Sequence, residues 1–217
     1  MIELLMYITF IIIVVSYISY FVLILINSKN KVSDVTGFDV SKDIISKYNS
    51  INIIETKGYF SFYNIRRKVI KLSSKCYYGT DLSSVSLSLI EAGTSVIDDN
   101  KNKYLNILKK IVGKLKILYI LPIFSIFLNF VLYSITDAWI EIILLSIFTF
   151  ISFILIDIKT NIYNWLCDDL EKIKEISKNN RLKIMNYINI IIGLDKLILV
   201  GEVLMIIRYI MILLGIN

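Results

Sequence analysis

The chain has 217 residues, of which 56% are hydrophobic; it carries one proline, no histidine and a formal net charge of +6. With a mean hydropathy of +0.70 it is more apolar than soluble domains of this length usually are, so membrane segments are expected. The lack of histidine excludes imidazole as metal ligand, general base or proton shuttle anywhere in the molecule.

The first element is an uncharged run of 23 residues, Leu4 to Ile26, long enough to cross a hydrocarbon core of roughly 30 Å. It is too long for a signal-peptide core, with no basic stretch before it and no small-residue cleavage site after it, so a retained anchor is expected. Apolar residues at Phe38, Val40, Ile44, Ile45 and Tyr48 then predict a short helix. Ile51 to Lys57 reads as a strand, Gly58 as a turn and Tyr59 to Tyr63 as a second strand; Asn64 to Arg66 turns into a third, Arg67 to Leu72. Asp81 is positioned to cap a helix running to about Val96, with Leu82, Val85, Leu89, Ala92 and Val96 on one stripe.

Two further spans follow, Ile117 to Ile135, in which Pro122 predicts a kink, and Ile142 to Ile156. The polar break Thr136 to Glu141 leaves room for a tight hairpin only. Ile162, Trp165, Leu166, Leu170, Ile173 and Ile176 form the apolar face of an amphipathic helix, which packs on the preceding polar segment or lies on the bilayer surface. A fourth span, Leu197 to Leu214, contains Arg208, expected to snorkel towards an interface, and the deeper Glu202. A charge at that depth costs about 2.5–3.5 kcal/mol, so Glu202 is expected to face another helix and is the membrane-embedded candidate functional residue.

Charge sets the expected orientation. Residues 27–116 hold 16 Lys/Arg against 8 Asp/Glu, and residues 157–196 hold 7 against 6. By the positive-inside rule both polar segments lie in the cytoplasm and both termini outside. Topology and anionic lipid account for the basic balance, so the bilayer is an expected partner and nucleic acid is not. Cys76 and Cys167 fall on the reducing side, where free thiols are the default. The expected divisions are an anchor at 1–27, a cytoplasmic segment at 28–116, a helical hairpin at 117–156, a second cytoplasmic segment at 157–196 and a C-terminal transmembrane helix at 197–217.

The capped helix contains Ile90-Glu91-Ala92-Gly93-Thr94. Two histidines one helical turn apart, with a glutamate beside the first, would hold zinc and activate its water; here only the glutamate is present. Upstream, Phe62-Tyr63-Asn64-Ile65-Arg66-Arg67-Lys68-Val69-Ile70-Lys71-Leu72-Ser73 resembles the His-Tyr-Asp-Pro-Arg-Asn-Lys-Val-Val-Arg-Leu-Ser stretch of the YugP-type neutral zinc metallopeptidases of bacterial membranes. Thr36-Gly37 is similar to the Thr-Gly opening that family's first cytoplasmic helix, Tyr78-Gly79 to its Tyr-His-Gly, and Ser88 to Val96 (SLIEAGTSV) to its AAHEAGHAI. Ile156-Asp157-Ile158-Lys159-Thr160-Asn161 resembles its Val-Glu-Phe-Asn-Ala-Ser, which places Asp157 where the third zinc ligand is expected.

The resemblance implies an α+β membrane protein with about four transmembrane helices and a small zincin-like cytoplasmic helix–sheet–helix segment, in the bacterial cytoplasmic membrane. It also implies a zinc cofactor, yet the departures fall on the ligands. Ile90 has no donor atom, Thr94 offers a neutral hydroxyl, and Asp157 alone cannot hold the metal, so no cofactor is expected. Without a metal-bound water Glu91 has nothing suitable to activate and is vestigial; its structural alternatives are a cap, a lysine pair or a solvated surface position. Ser73-Ser74-Lys75 has the residues of a serine–lysine dyad at a spacing common in loops. The leading expectation is a catalytically inactive homologue acting as a binding or regulatory scaffold, its partner an active paralogue or a membrane protein substrate. The alternatives are a divergent active membrane peptidase with a non-standard site, and a small transport or immunity-type membrane protein that uses Glu202.

Overall fold

The computed structural model describes residues 2–32, 34–46, 51–58, 61–64, 67–99, 138–170 and 176–215. The expected span 117–135, Pro122, and the Thr136-Asp137 start of the hairpin lie outside the described residues. Among the described residues nine elements follow in chain order: α1 (Ile2–Asn27), α2 (Gly37–Ile45), β1 (Asn52–Thr56), β2 (Phe62–Asn64), β3 (Val69–Ser73), α3 (Ser74–Tyr78), α4 (Leu82–Asp99), α5 (Ala138–Asp169) and α6 (Lys178–Leu213). The protein is rich in helix, with one small mixed sheet.

Local chemistry sets several of the boundaries. Thr36 and Asp39 form a reciprocal capping box at the start of α2, satisfying backbone donors that the first helical turn leaves open. The Asp81 carboxylate accepts from the Ser84 backbone N–H at 3.0 Å and from the Ser83 and Ser84 hydroxyls, so it caps α4 as its position predicts. A bridge between Lys31 and Asp81, with Leu82 N–H donating to the Asn30 carbonyl, ties the chain leaving α1 to the start of α4.

The sheet order is β1-β3-β2, with β1 parallel and β2 antiparallel to the central β3. Three strands are present where the sequence predicts them, although the second is shorter. Gly58 does not close a β1–β2 hairpin, because β1 and β2 occupy opposite edges. The register aligns Tyr63 with Ile70 and Ile53 with the same residue on the other side. Ile70 and Leu72 are fully buried, which explains the central place of β3: it is the most apolar strand and needs cover on both flanks.

Helix α4 is the hub. Val85, Leu89, Ala92 and Val96 are buried, as the predicted stripe requires, and so are Ser83, Ser84, Ser86, Ser88 and Ser95 on its other sides. Small serines allow neighbours to approach α4 all round; the Ser41 hydroxyl of α2 donates to the Ser88 carbonyl, and the Ser88 hydroxyl to the Ser84 carbonyl. Gly93 allows a close approach to α5: a Cβ there would lie 2.7 Å from a methyl of Ile162.

Helices α5 and α6 run unbroken for 32 and 36 residues, about 48 and 54 Å. The expected third span and the amphipathic stretch from Ile162 are thus one rod. Its N-terminal part joins α1 and α6 around Ile13, Leu145, Met205 and Tyr209; its C-terminal part packs Ile158, Ile162 and Leu166 into the core shared with α4. The apolar face of that helix packs rather than lying on a surface. Gly201 of α6 meets Ile13 of α1, where a Cβ would come within 2.5 Å of the isoleucine side chain.

Among the described residues two helices are long and apolar enough to cross a membrane, through residues 7–27 of α1 and 145–169 of α5. The expectation of four spans is not supported at that level. The fourth, in α6, is interrupted by Glu202 and Arg208 and bounded by Asp195 and Lys196, so its apolar stretch is short and charged.

Candidate functional site

The Ile90–Thr94 turn lies in the middle of α4, where that helix passes β2 and approaches α5. Ile90 is buried in the main core. The Thr94 hydroxyl donates to the Ile90 carbonyl of its own helix at 2.7 Å, the usual internal bond of a threonine in a helix. Neither side chain is presented as a metal ligand.

Glu91 is 7% exposed, and its Oε2 accepts the backbone N–H of Tyr63 at 2.8 Å. A buried carboxylate requires charge-assisted hydrogen bonds, and this one is drawn from the edge strand. β2 pairs with β3 on one side only, so alternate N–H groups on its other side lack a ladder partner; Glu91 satisfies one of them. The Tyr63 side chain is itself buried. Of the structural roles expected for Glu91, the solvated position is therefore excluded, and the observed role is a latch between helix and strand.

Asp157 is on an exposed face of α5 and accepts from the Asn161 side-chain amide at 3.2 Å, one turn on. Ile162 and Trp165 are the α5 side chains that face Gly93 of α4. Asp157 is about 100° around the helix from the buried Ile158, so the carboxylate turns away from the core face. Phe62, the other position where the resemblance places a histidine, stacks beneath the Lys71 ammonium at 5.6 Å from its ring centre. The structure brings Ile90, Glu91 and Thr94 together on one helical turn near β2, and does not direct Asp157 towards them.

Zinc does not fit this donor set. Among the described residues no three His, Cys, Asp or Glu side chains come together as a metal-binding group. The one carboxylate on the turn is engaged by a backbone N–H, and its neighbours offer a hydrocarbon and a hydroxyl already bonded within its helix. Cys76 is buried and Cys167 exposed, both as free thiols, and neither supplies a missing ligand. Ser73 caps α3 through the Cys76 N–H and Ser74 donates to Glu55, so the serine–lysine triplet is a helix start.

The opposite edge of the sheet carries a second polar cluster that the sequence did not reveal. Glu55 of β1 accepts from the Ser74 hydroxyl at 2.6 Å and the Tyr78 hydroxyl at 2.9 Å. These two donors hold its carboxyl below the ordinary range, and the same contact raises the Tyr78 phenol. Between the long helices, Lys159 of α5 pairs with Asp195 of α6, both largely shielded from solvent. Deeper, the Ser152 hydroxyl donates to Glu202 Oε1 at 3.1 Å, while Glu202 Oε2 is buried without a hydrogen-bond partner among the described residues. Glu202 thus faces another helix, as its cost predicts. The Arg208 guanidinium stacks on the Tyr209 ring at 5.4 Å.

No curated protein and no solved structure matches the chain. A family model does: that described as "Putative neutral zinc metallopeptidase" matches residues 2–212. With nearly the whole length aligned to it, α1 through α6, the chain belongs to the neutral zinc metallopeptidase family that its residues resemble.

Proposed function

We propose that the protein is a catalytically inactive member of this family and acts as a binding or regulatory scaffold. One observation carries the reading: the only acidic residue on the turn where the family's metal site is expected is buried and bound to the Tyr63 N–H. A general base needs access to a water or a substrate proton; a carboxylate latched to an edge strand is committed to holding the sheet on the helix. Purified protein is expected to hold no stoichiometric zinc and to show no chelator-sensitive proteolysis. A one-to-one zinc content with proteolysis lost on chelation would sink the reading.

The proposed setting is a bacterial cytoplasmic membrane, with the C-terminal half of α6 crossing beside α1 and α5, and with both termini outside. Support comes from the exposed apolar side chains of α6, among them Leu197, Val200, Val203, Ile207 and Ile210, which continue the exposed apolar faces of α1 and α5. Soluble monomers rarely expose contiguous apolar patches of such length. The proposed partner is an active paralogue or a membrane protein substrate; cross-linking in native membranes is expected to yield one specific adduct, and its repeated absence would count against the scaffold role.

A second reading, small-solute transport, draws on Glu202 Oε2, buried and unpartnered among the described residues. Buried carboxyl groups between membrane helices often lie on ion or proton paths. It requires loss of function in Glu202→Gln; retained function removes it.

A further inference from the structure

We propose that the cavity where α1 leaves its apolar run binds the phosphate headgroup of an anionic lipid. The inference rests on the membrane setting proposed above. The cavity, about 520 Å³, is enclosed by the C-terminal end of α1, the chain following it, the start of α4 and the first turns of α6. Three lysines line it, Lys29, Lys31 and Lys183, together with the amides of Asn27, Asn30 and Asn186, and among the described residues no acidic one does.

The donors differ in availability. Lys31 pairs with Asp34 at 2.8 Å, but both side chains are exposed, and such a pair is weak and screened. Lys29 and Lys183 make no ion pair among the described residues. Asn27 donates to the Leu23 carbonyl, and Asn30 donates to Asn27, so two of the three amides are held in place. Two ammonium groups without an ion pair among the described residues, lining one cavity with three amides, match the charge and the several acceptor oxygens of a phosphate.

The lining also combines polar with apolar side chains. Leu23 and Ile190 line it, and Ile190 is 49% exposed, in line with the exposed Val22, Leu25 and Ile26 of α1. A phosphodiester seated among the lysines would therefore have its acyl chains directed along apolar helix faces. A free anion would use only the polar side chains. Basic pockets between membrane helices, level with the headgroups, select anionic lipids on this principle.

Full-length protein reconstituted with equal phosphatidylglycerol and phosphatidylcholine, then examined by native mass spectrometry, is expected to retain phosphatidylglycerol in preference. Lys29→Gln and Lys183→Gln should each lower that retention about fivefold, whereas Lys75→Gln, exposed on α3, should leave it unchanged. Equal retention of the two lipids, or full retention in the double variant, overturns the proposal while the membrane setting stands. Displacement by free glycerol 3-phosphate at the same concentration as by short-chain phosphatidylglycerol would assign the site to soluble phosphate and overturn the lipid claim. Release of the chain from membranes by alkaline carbonate would remove the membrane setting, and the lipid site with it.

Discussion

Glu91 illustrates how one buried side chain can hold a helix to a strand. Removing the carboxylate in Glu91→Ala leaves the Tyr63 N–H without its acceptor in a buried place, which costs about 1–3 kcal/mol. Glu91→Gln keeps an oxygen of the same reach and should lose less than half of that; a thermal melt in detergent orders the two variants. Equal melting temperatures for wild type and Glu91→Ala would show that the latch contributes nothing. Glu55 provides a pH-dependent counterpart at the other edge. Its carboxyl is held below the ordinary value by Ser74 and Tyr78, so its stabilising contribution is full above the unfolded carboxylate pKa. That contribution is lost as pH falls through the lowered folded value. Glu55→Gln should therefore melt below the wild type at neutral pH and converge with it in acid, where the wild-type carboxyl is itself protonated, so the acid limb becomes shallower, as followed by melting temperature from pH 7 to acid.

At the scale of elements, close approach between helices is the controlling variable. α4 and α5 cross at Gly93, where a Cβ would sit 2.7 Å from Ile162. Ile162 is fully buried and β-branched, so it has little freedom to yield. Gly93→Val should therefore destabilise by about 1–3 kcal/mol through overpacking. Ile162→Ala, at the same contact, should cost about 2–5 kcal/mol through the cavity it leaves. If the two changes combined recover stability relative to either alone, the crossing itself is the origin of both losses; strict additivity would refute that. At a different interface, between α5 and α6, the Lys159–Asp195 pair joins the two long helices by charge.

Across the whole molecule, α1 belongs to the fold as well as to the proposed membrane. It packs along α6 through Ile13 on Gly201 and along α4 through the chain following it. Deleting residues 1–27 should therefore do more than release a tether: the seam at Gly201 and the cavity beside Leu23 would be opened together. The truncated chain is expected to aggregate in detergent in which the full chain is monodisperse, as read by size-exclusion chromatography. A well-folded soluble truncation would show that α1 is an anchor only.

Much of this was legible in the residues. The period of α4, its Asp81 cap, the three strands, the apolar length of α1 and the family itself follow from local pattern, because helix caps, strand alternation and long apolar runs depend on neighbours in sequence. The inward turn of Glu202 was also legible, since a charge among apolar residues has few affordable positions. Tertiary structure alone decided the rest. The parallel β1–β3 pairing, which places β1 and β2 on opposite edges, depends on a crossover that no local signal encodes. The bond from Glu91 to the Tyr63 N–H joins residues 28 apart through a backbone group that every residue carries, so composition cannot announce it. The exposure of Asp157 is set by the rotation of a 32-residue rod, fixed where Ile162 meets Gly93. Sequence showed Ile90 and Thr94 where the resemblance leads one to expect histidines; packing determined what the carboxylate between them holds.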